Sequence, residues 1–232
     1  MANLATTGIS PRQLEGIVVT HEHSDHIQGV GALARRLKIP ILASAATWEA
    51  MEPALGRLAD TQKVIIERAF SLAGMTVHLI ATSHDCRDGY GLKISGARST
   101  LGVVTDTGMV TEEMDTYLEG CTAFIIEANH DLERLWNGKY PSALKRRVAG
   151  LSGHMSNAQA AEGLCRWVQN NTQRVVLAHL SLENNTPELA IKTICQALRE
   201  SAVQQRCPHL KIRVAPRHNA HELIVLQEGE PA

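Results

Sequence analysis

Apolar positions come in short runs closed by polar or glycine-containing stretches. Gly16-Ile17-Val18-Val19-Thr20 predicts a buried strand. Directly after it, Ile27, Val30, Leu33, Ala34 and Leu37 recur at helical spacing. Pro40-Ile41-Leu42-Ala43 predicts a second strand, and residues 45–55 a helix. Short strands are expected at Val64-Ile65-Ile66, Thr76 to Ala81, Tyr90 to Ile94 and Leu101 to Thr105. Thr111 with Glu112 and Glu113 opens a short helix, and Phe124-Ile125-Ile126 is another buried strand.

The later part of the chain is more helical. Ser156 and Gln159 form a capping-box signature, with Ala158, Ala161, Leu164, Cys165 and Val168 on one face behind them. Val175-Val176-Leu177-Ala178 predicts a strand. Thr186-Pro187 is an N-cap and first-turn pair before Ile191, Ile194, Cys195 and Leu198. Lys211 to Ala215 and Glu222 to Leu226 are expected as terminal strands. This alternation suggests an α/β sandwich of two sheets with helices outside.

Polar residues gather where the apolar runs stop. Thr20-His21-Glu22-His23-Ser24-Asp25-His26 places three histidines and an aspartate within six residues. In a loop, His21 and His23 can face one metal while Asp25 and His26 turn to a second. Imidazole suits Zn, Mn or Fe, and a carboxylate adds charge that a divalent ion offsets. His84, Asp106 and His179 each follow an apolar strand, which is how an α/β protein gathers distant residues at one rim. Together they make seven candidate ligands, enough for two metals sharing a carboxylate.

Composition sharpens this picture. Histidine is 11 of 232 residues, whereas aromatics are only 3%, which disfavours an extensive base-stacking platform. No apolar run approaches the ~20 residues of a membrane span, and no secretory signal pattern is visible. Five scattered cysteines without a CxxC point to a reducing cytoplasm, away from disulfides or a thiolate zinc site. The formal net charge of −1 conceals a polarity. Residues 1–144 carry 12 basic and 17 acidic side chains (−5), residues 145–217 carry 11 and 4 (+7), and residues 218–232 add −3. Lys145-Arg146-Arg147 is the densest basic cluster and a candidate contact for a nucleic-acid backbone.

These motifs resemble the metallo-β-lactamase fold superfamily, and most closely its YycJ (WalJ) branch of exonucleases. The residues carrying the likeness are the 20–26 motif, Ser83-His84-Asp85, Thr105-Asp106-Thr107-Gly108 and Glu127-Ala128-Asn129-His130-Asp131. Gly138-Lys139-Tyr140-Pro141, Gly153-His154-Met155-Ser156-Asn157, Ala178-His179-Leu180-Ser181 and Glu183-Asn184-Asn185 complete it. The resemblance runs from about residue 14 to about residue 190.

It implies a four-layer αββα sandwich in a single domain over residues 1–232. It implies two divalent metal ions, Zn, Mn or Fe. His21, His23 and His84 would hold one; Asp25, His26 and His179 the other; and Asp106 would bridge them. Asp25 would also orient a hydroxide shared by the ions, the nucleophile. Glu127 and His154 would form a proton-transfer pair beside the leaving oxygen. The activity implied is phosphodiester hydrolysis, with DNA degraded in the 5′→3′ sense and the basic 145–217 segment meeting its backbone. A small-molecule ester or cyclic-phosphate hydrolase and a non-catalytic binding protein are the alternatives. Family members open with a strand pair and a Gly/Ser-rich loop, whereas here the strand bearing His21 begins 15 residues after Met1. The resemblance therefore implies that the opening strands are missing, leaving an exposed sheet edge. His78, His209, His218 and His221 read as ordinary, and His130 as ambiguous. Cys86 is unnecessary as a ligand.

Overall fold

A computed structural model describes residue 4, residues 6–220 and residues 223–226. Among the described residues there are ten strands and, after a short N-terminal 3-10 turn, nine α-helices. The order is β1 (Ile17–Val18), α1 (Ser24–Ile27), α2 (Val30–Leu37), β2 (Ile41–Ala43), α3 (Ala45–Leu55), β3 (Lys63–Ile65), β4 (Ala69–Leu72), β5 (Met75–Ala81), β6 (Tyr90–Ser95) and β7 (Thr100–Val104). Then come α4 (Glu112–Leu118), β8 (Ala123–Glu127), α5 (Leu132–Asn137), α6 (Ser142–Val148), α7 (Asn157–Trp167), β9 (Arg174–Ala178), α8 (Pro187–Glu200), α9 (Val203–Arg206) and β10 (Lys211–Val214).

Strands β1, β2 and β3 form a parallel sheet in that order. The other seven form a mixed sheet, β10-β9-β8-β7-β6-β5-β4. It is parallel from β10 to β7 and antiparallel from β7 to β4. Three apolar cores mark three interfaces, so the layers are four. Val30, Ala34, Trp48, Met51 and Leu55 of α2 and α3 pack with Ile41 and Ala43 on the small sheet. Leu42, between those two strand residues, faces the opposite way and meets Val77, Leu79 and Leu92 of the large sheet. Beyond the large sheet, Phe124 and Ile126 of β8 pack against Met114 and Leu118 of α4, Leu164 and Trp167 of α7, and Ile194 of α8. The αββα expectation is met.

Local chemistry explains the boundaries. Ser156 Oγ accepts from Gln159 N, and Gln159 Oε1 accepts from Ser156 N, closing the expected capping box of α7. Thr186 Oγ1 accepts from Leu189 N ahead of Pro187 in α8. The apolar series 27–37 is two helices, because the chain breaks at Gln28–Gly29. β1 is only two residues long, and it is an edge strand with β2 as its neighbour among the described residues. The strand expected over 222–226 is not formed at residues 223–226, and Glu222 lies outside the described residues. No described helix is long and apolar enough to cross a membrane.

Candidate metal centre

Five strands end at one edge of the sandwich. β5 runs parallel to β7, being antiparallel to β6 between them, so β5, β7, β8 and β9 all point their carboxyl ends there. Beyond those ends lie His84, Asp106, Glu127 at the end of β8, and His179. The small sheet delivers His21 to the same place: Tyr90 N, at the start of β6, donates to Thr20 O. Asp106 and His179 both have positive φ, 60° and 55°, a left-handed conformation that costs an L residue of order 1 kcal/mol. That turn swings each side chain off its strand and toward the centre.

The 20–26 motif puts His21 and His23 in one cluster with His84, and Asp25 and His26 in another with His179. It does not remain a loop: His23 is the extended N-cap residue of α1, and Asp25 and His26 lie in that helix's one turn. Helical twist, rather than loop freedom, turns the second pair away from the first.

Tautomers are fixed by backbone partners. A carbonyl oxygen only accepts, so His84 Nδ1–H donates to Gly153 O at 2.9 Å, and His23 Nε2–H donates to Asp85 O at 3.2 Å. The other nitrogen of each ring is then the one available to a metal ion. Those two nitrogens, His23 Nδ1 and His84 Nε2, face each other at 3.2 Å. Two lone pairs at that distance repel unless a cation lies between them or a proton is added. His21 Nε2 completes the group; it is buried without a hydrogen-bond partner, and its ligand atom lies within 4.8 Å of the other two. Burial, and after it the charge of His26, pushes His21 down to about 3, so it stays a neutral donor. These atoms fit a divalent ion.

A second set adjoins the first. His26 Nε2 lies 3.7 Å from Asp25 Oδ2 and 3.4 Å from Asp106 Oδ2, and His179 Nε2 lies 3.8 Å from Asp25 Oδ2. Asp106 sits between the sets, its other oxygen 3.8 Å from His84 Nε2. It is 3% exposed, and Oδ2 has no hydrogen-bond partner. Burial opposes its ionisation, but the His26 contact and the His179 charge outweigh that and hold it well below the usual carboxylate range. All seven expected ligands thus converge. His21 also groups with His26 and Asp106, so it reaches toward both sets.

Glu127 does more than the sequence suggested. It is fully buried and accepts four hydrogen bonds: Met155 N at 2.7 Å on Oε1, and His179 Nδ1 at 2.8 Å, His154 Nδ1 at 2.9 Å and Asp106 N at 3.2 Å on Oε2. Burial opposes its charge, and the His154 and His179 bonds overcome it, so Glu127 stays ionised. Burial also opposes the charge of His179, yet the bond to Glu127 raises that ring to about 9. Glu127 therefore orients both imidazoles through Nδ1, and His179 Nε2 then lies beside Asp25. No sequence signal separated its bond to His179 from its bond to His154.

Other candidates settle out. His130 is fully buried, neither ring nitrogen has a partner, and burial pushes it down to about 4. His78 lies on β5 with its ring 5.8 Å from that of Tyr117. His209 and His218 are exposed, and His221 lies outside the described residues. Cys86 belongs to none of the clusters, and burial pushes its thiol up to about 11. In the basic cluster, Arg147 is paired with Asp85 at 2.6 Å and Lys145 Nζ donates to Trp136 O at 2.7 Å.

Comparison with known proteins agrees with this geometry. Residues 2–180 match a family described as "Beta-lactamase superfamily domain". The chain is 39% identical over 189 residues to "Exodeoxyribonuclease YycJ" of Bacillus anthracis, covering 81% of this chain and 72% of that one. It is 37% identical over 202 residues to "Exodeoxyribonuclease WalJ" of Streptococcus pneumoniae strain D39, covering 85% and 75%. Among solved structures, the metallo-β-lactamase fold protein YhfI from Bacillus subtilis superposes with a TM-score of 0.65 at 16% identity, covering 90% of this chain and 78% of that one. The chain belongs to the β-lactamase superfamily, has the metallo-β-lactamase fold, and is a metal-dependent hydrolase.

Proposed function

We propose that this hydrolase is a single-domain phosphodiesterase with two divalent ions, Zn, Mn or Fe, and that it degrades DNA as a 5′→3′ exonuclease. The observation that carries the reading is the placement of Asp106. A carboxylate, rather than a thiolate, lies 3.8 Å from His84 Nε2 through one oxygen and 3.4 Å from His26 Nε2 through the other. His21, His23 and His84 would hold one ion and Asp25, His26 and His179 the second, with Asp106 shared. Divalent cations held there would lower the pKa of a bound water and offset the charge of a phosphoryl oxygen.

The protein's own groups account for the rest. Glu127 accepts from His154 Nδ1–H, so Nε2 would be the atom that carries a proton to the leaving oxygen. As the P–O bond breaks, the leaving oxygen takes that proton and Glu127 stabilises the ring beforehand. Asp25, exposed and 3.8 Å from His179 Nε2, would align the attacking water. The DNA preference rests on the resemblance and on the names of the two exodeoxyribonuclease relatives, and the 5′→3′ sense on the resemblance alone. The basic 145–217 segment would meet the backbone.

A 5′-labelled duplex supplied with Mn²⁺ or Zn²⁺ tests the reading. Nucleotide release by the protein, lost in Asp106→Ala, is expected. Turnover of a small phosphodiester with DNA left intact would replace it with the small-substrate alternative.

A further inference from the structure

Two of the three tryptophans are core residues. Trp48 is 1% exposed and gives its indole N–H to Val64 O; Trp167 is 0% exposed and gives its own to Asp115 Oδ1. Trp136 is different: it is 49% exposed on α5. Leu132, one turn earlier and on the same helix face, is 45% exposed. Leu182 is 70% exposed on the loop that follows His179. That loop is tied to α5, because Asp131 N donates to Asn184 O at 2.9 Å and Arg134 Nη2 to Glu183 O at 3.4 Å. Ser181 N also donates to Asn129 O, two residues beyond Glu127. Three large exposed apolar side chains therefore lie on the two segments that leave Glu127 and His179.

Cations border them. Lys145 Nζ is held at Trp136 O, and residues 132–148 carry five basic side chains and one acidic, a balance of +4 in a chain whose net charge is −1. The occupant that fits is anionic and has flat apolar faces. A second copy fits poorly, since a two-fold contact through this surface would set like charges against each other.

We propose that Trp136, with Leu132 and Leu182, is a stacking surface for the bases of a single DNA strand at the entrance to the metal centre, with Arg134 and Lys145 taking its phosphates. The proposal rests on the nuclease reading and adds a strand-binding surface to it. An indole face accepts any base, so the contact is sequence-tolerant. Each cation keeps donors beyond the backbone bond it already makes.

The test is binding of a short thymidine phosphorothioate strand, which resists cleavage, followed through tryptophan emission and strand anisotropy. The wild-type emission should be quenched. Trp136→Ala should weaken binding roughly tenfold, and Trp136→Phe should keep most of it. Metal content and melting temperature check that the variants are folded. Equal binding by Trp136→Ala, while the wild type still digests DNA, overturns the stacking surface and leaves the nuclease reading standing. A wild type that neither binds nor digests DNA overturns both. A change from dimer to monomer on sedimentation, with strand binding unaltered, overturns the proposal in favour of self-association.

Discussion

His23 Nδ1 faces His84 Nε2 across 3.2 Å, and each ring has committed its other nitrogen to a backbone carbonyl. Preorganised donors of this kind hold a cation without first rearranging. His84→Ala removes one of the pair and should lower metal-dependent turnover about a hundredfold or more. Calorimetric metal titration should show one site abolished while the melting temperature of the metal-free protein changes little. An unchanged titration would contradict the assignment.

Glu127→Gln addresses orientation separately from ligation. The amide keeps the volume but replaces an acceptor with a donor, so Met155 N, Asp106 N, His154 Nδ1 and His179 Nδ1 cannot all be satisfied. Metal affinity should fall about 10–100-fold, as when the partner behind a ligating histidine is removed. Chelator competition measures this. Wild-type affinity in Glu127→Gln would restrict Glu127 to the proton-transfer role.

His154→Ala should leave metal content unchanged and cut DNA turnover by about 10²–10⁴. The loss should shrink for a p-nitrophenyl diester, whose leaving group departs without a proton. Equal losses on both substrates would point to a binding role instead.

Gly108 tests the wall beside Asp106. A Cβ there would collide with the carbonyl oxygens of Gly150 and Leu151, on the loop that leads to His154. Gly108→Ala should destabilise by about 1–3 kcal/mol, as overpacking does, and should lower kcat by displacing that loop. Thermal melting and steady-state kinetics would show both effects together.

Changing Lys145, Arg146 and Arg147 to Ala should make DNA binding less dependent on salt, by about one unit of slope for each phosphate that is no longer neutralised. Arg147 is paired with Asp85 near the surface, so its own contribution to stability should stay within about 1 kcal/mol. An unchanged salt slope would place the DNA track elsewhere.

Much of this was legible because periodicity and ligand chemistry are local signals. The helix expected over residues 45–55 is α3, and Val175 to Ala178 lies within β9. The expected ligands converge because each follows an apolar strand whose carboxyl end reaches the same edge. What was not legible depends on three-dimensional partners. β4, Ala69–Leu72, alternates exposed and half-buried residues at a sheet edge, so its apolar pattern is weak. α5 and α6 are short and split by Gly138-Lys139-Tyr140-Pro141, which hides their period. The positive φ of Asp106 and His179 falls on residue types that carry no glycine-like signature. The scarcity of aromatics suggested little base stacking, yet exposure of a single tryptophan is invisible in composition.

The most direct test of the central claim is the metal content per chain of protein loaded with Mn²⁺ or Zn²⁺ and freed of excess ion. Two ions per chain are expected, falling to about one in His84→Ala and to fewer than two in Asp106→Ala. Well under one ion per chain in the wild type would contradict it.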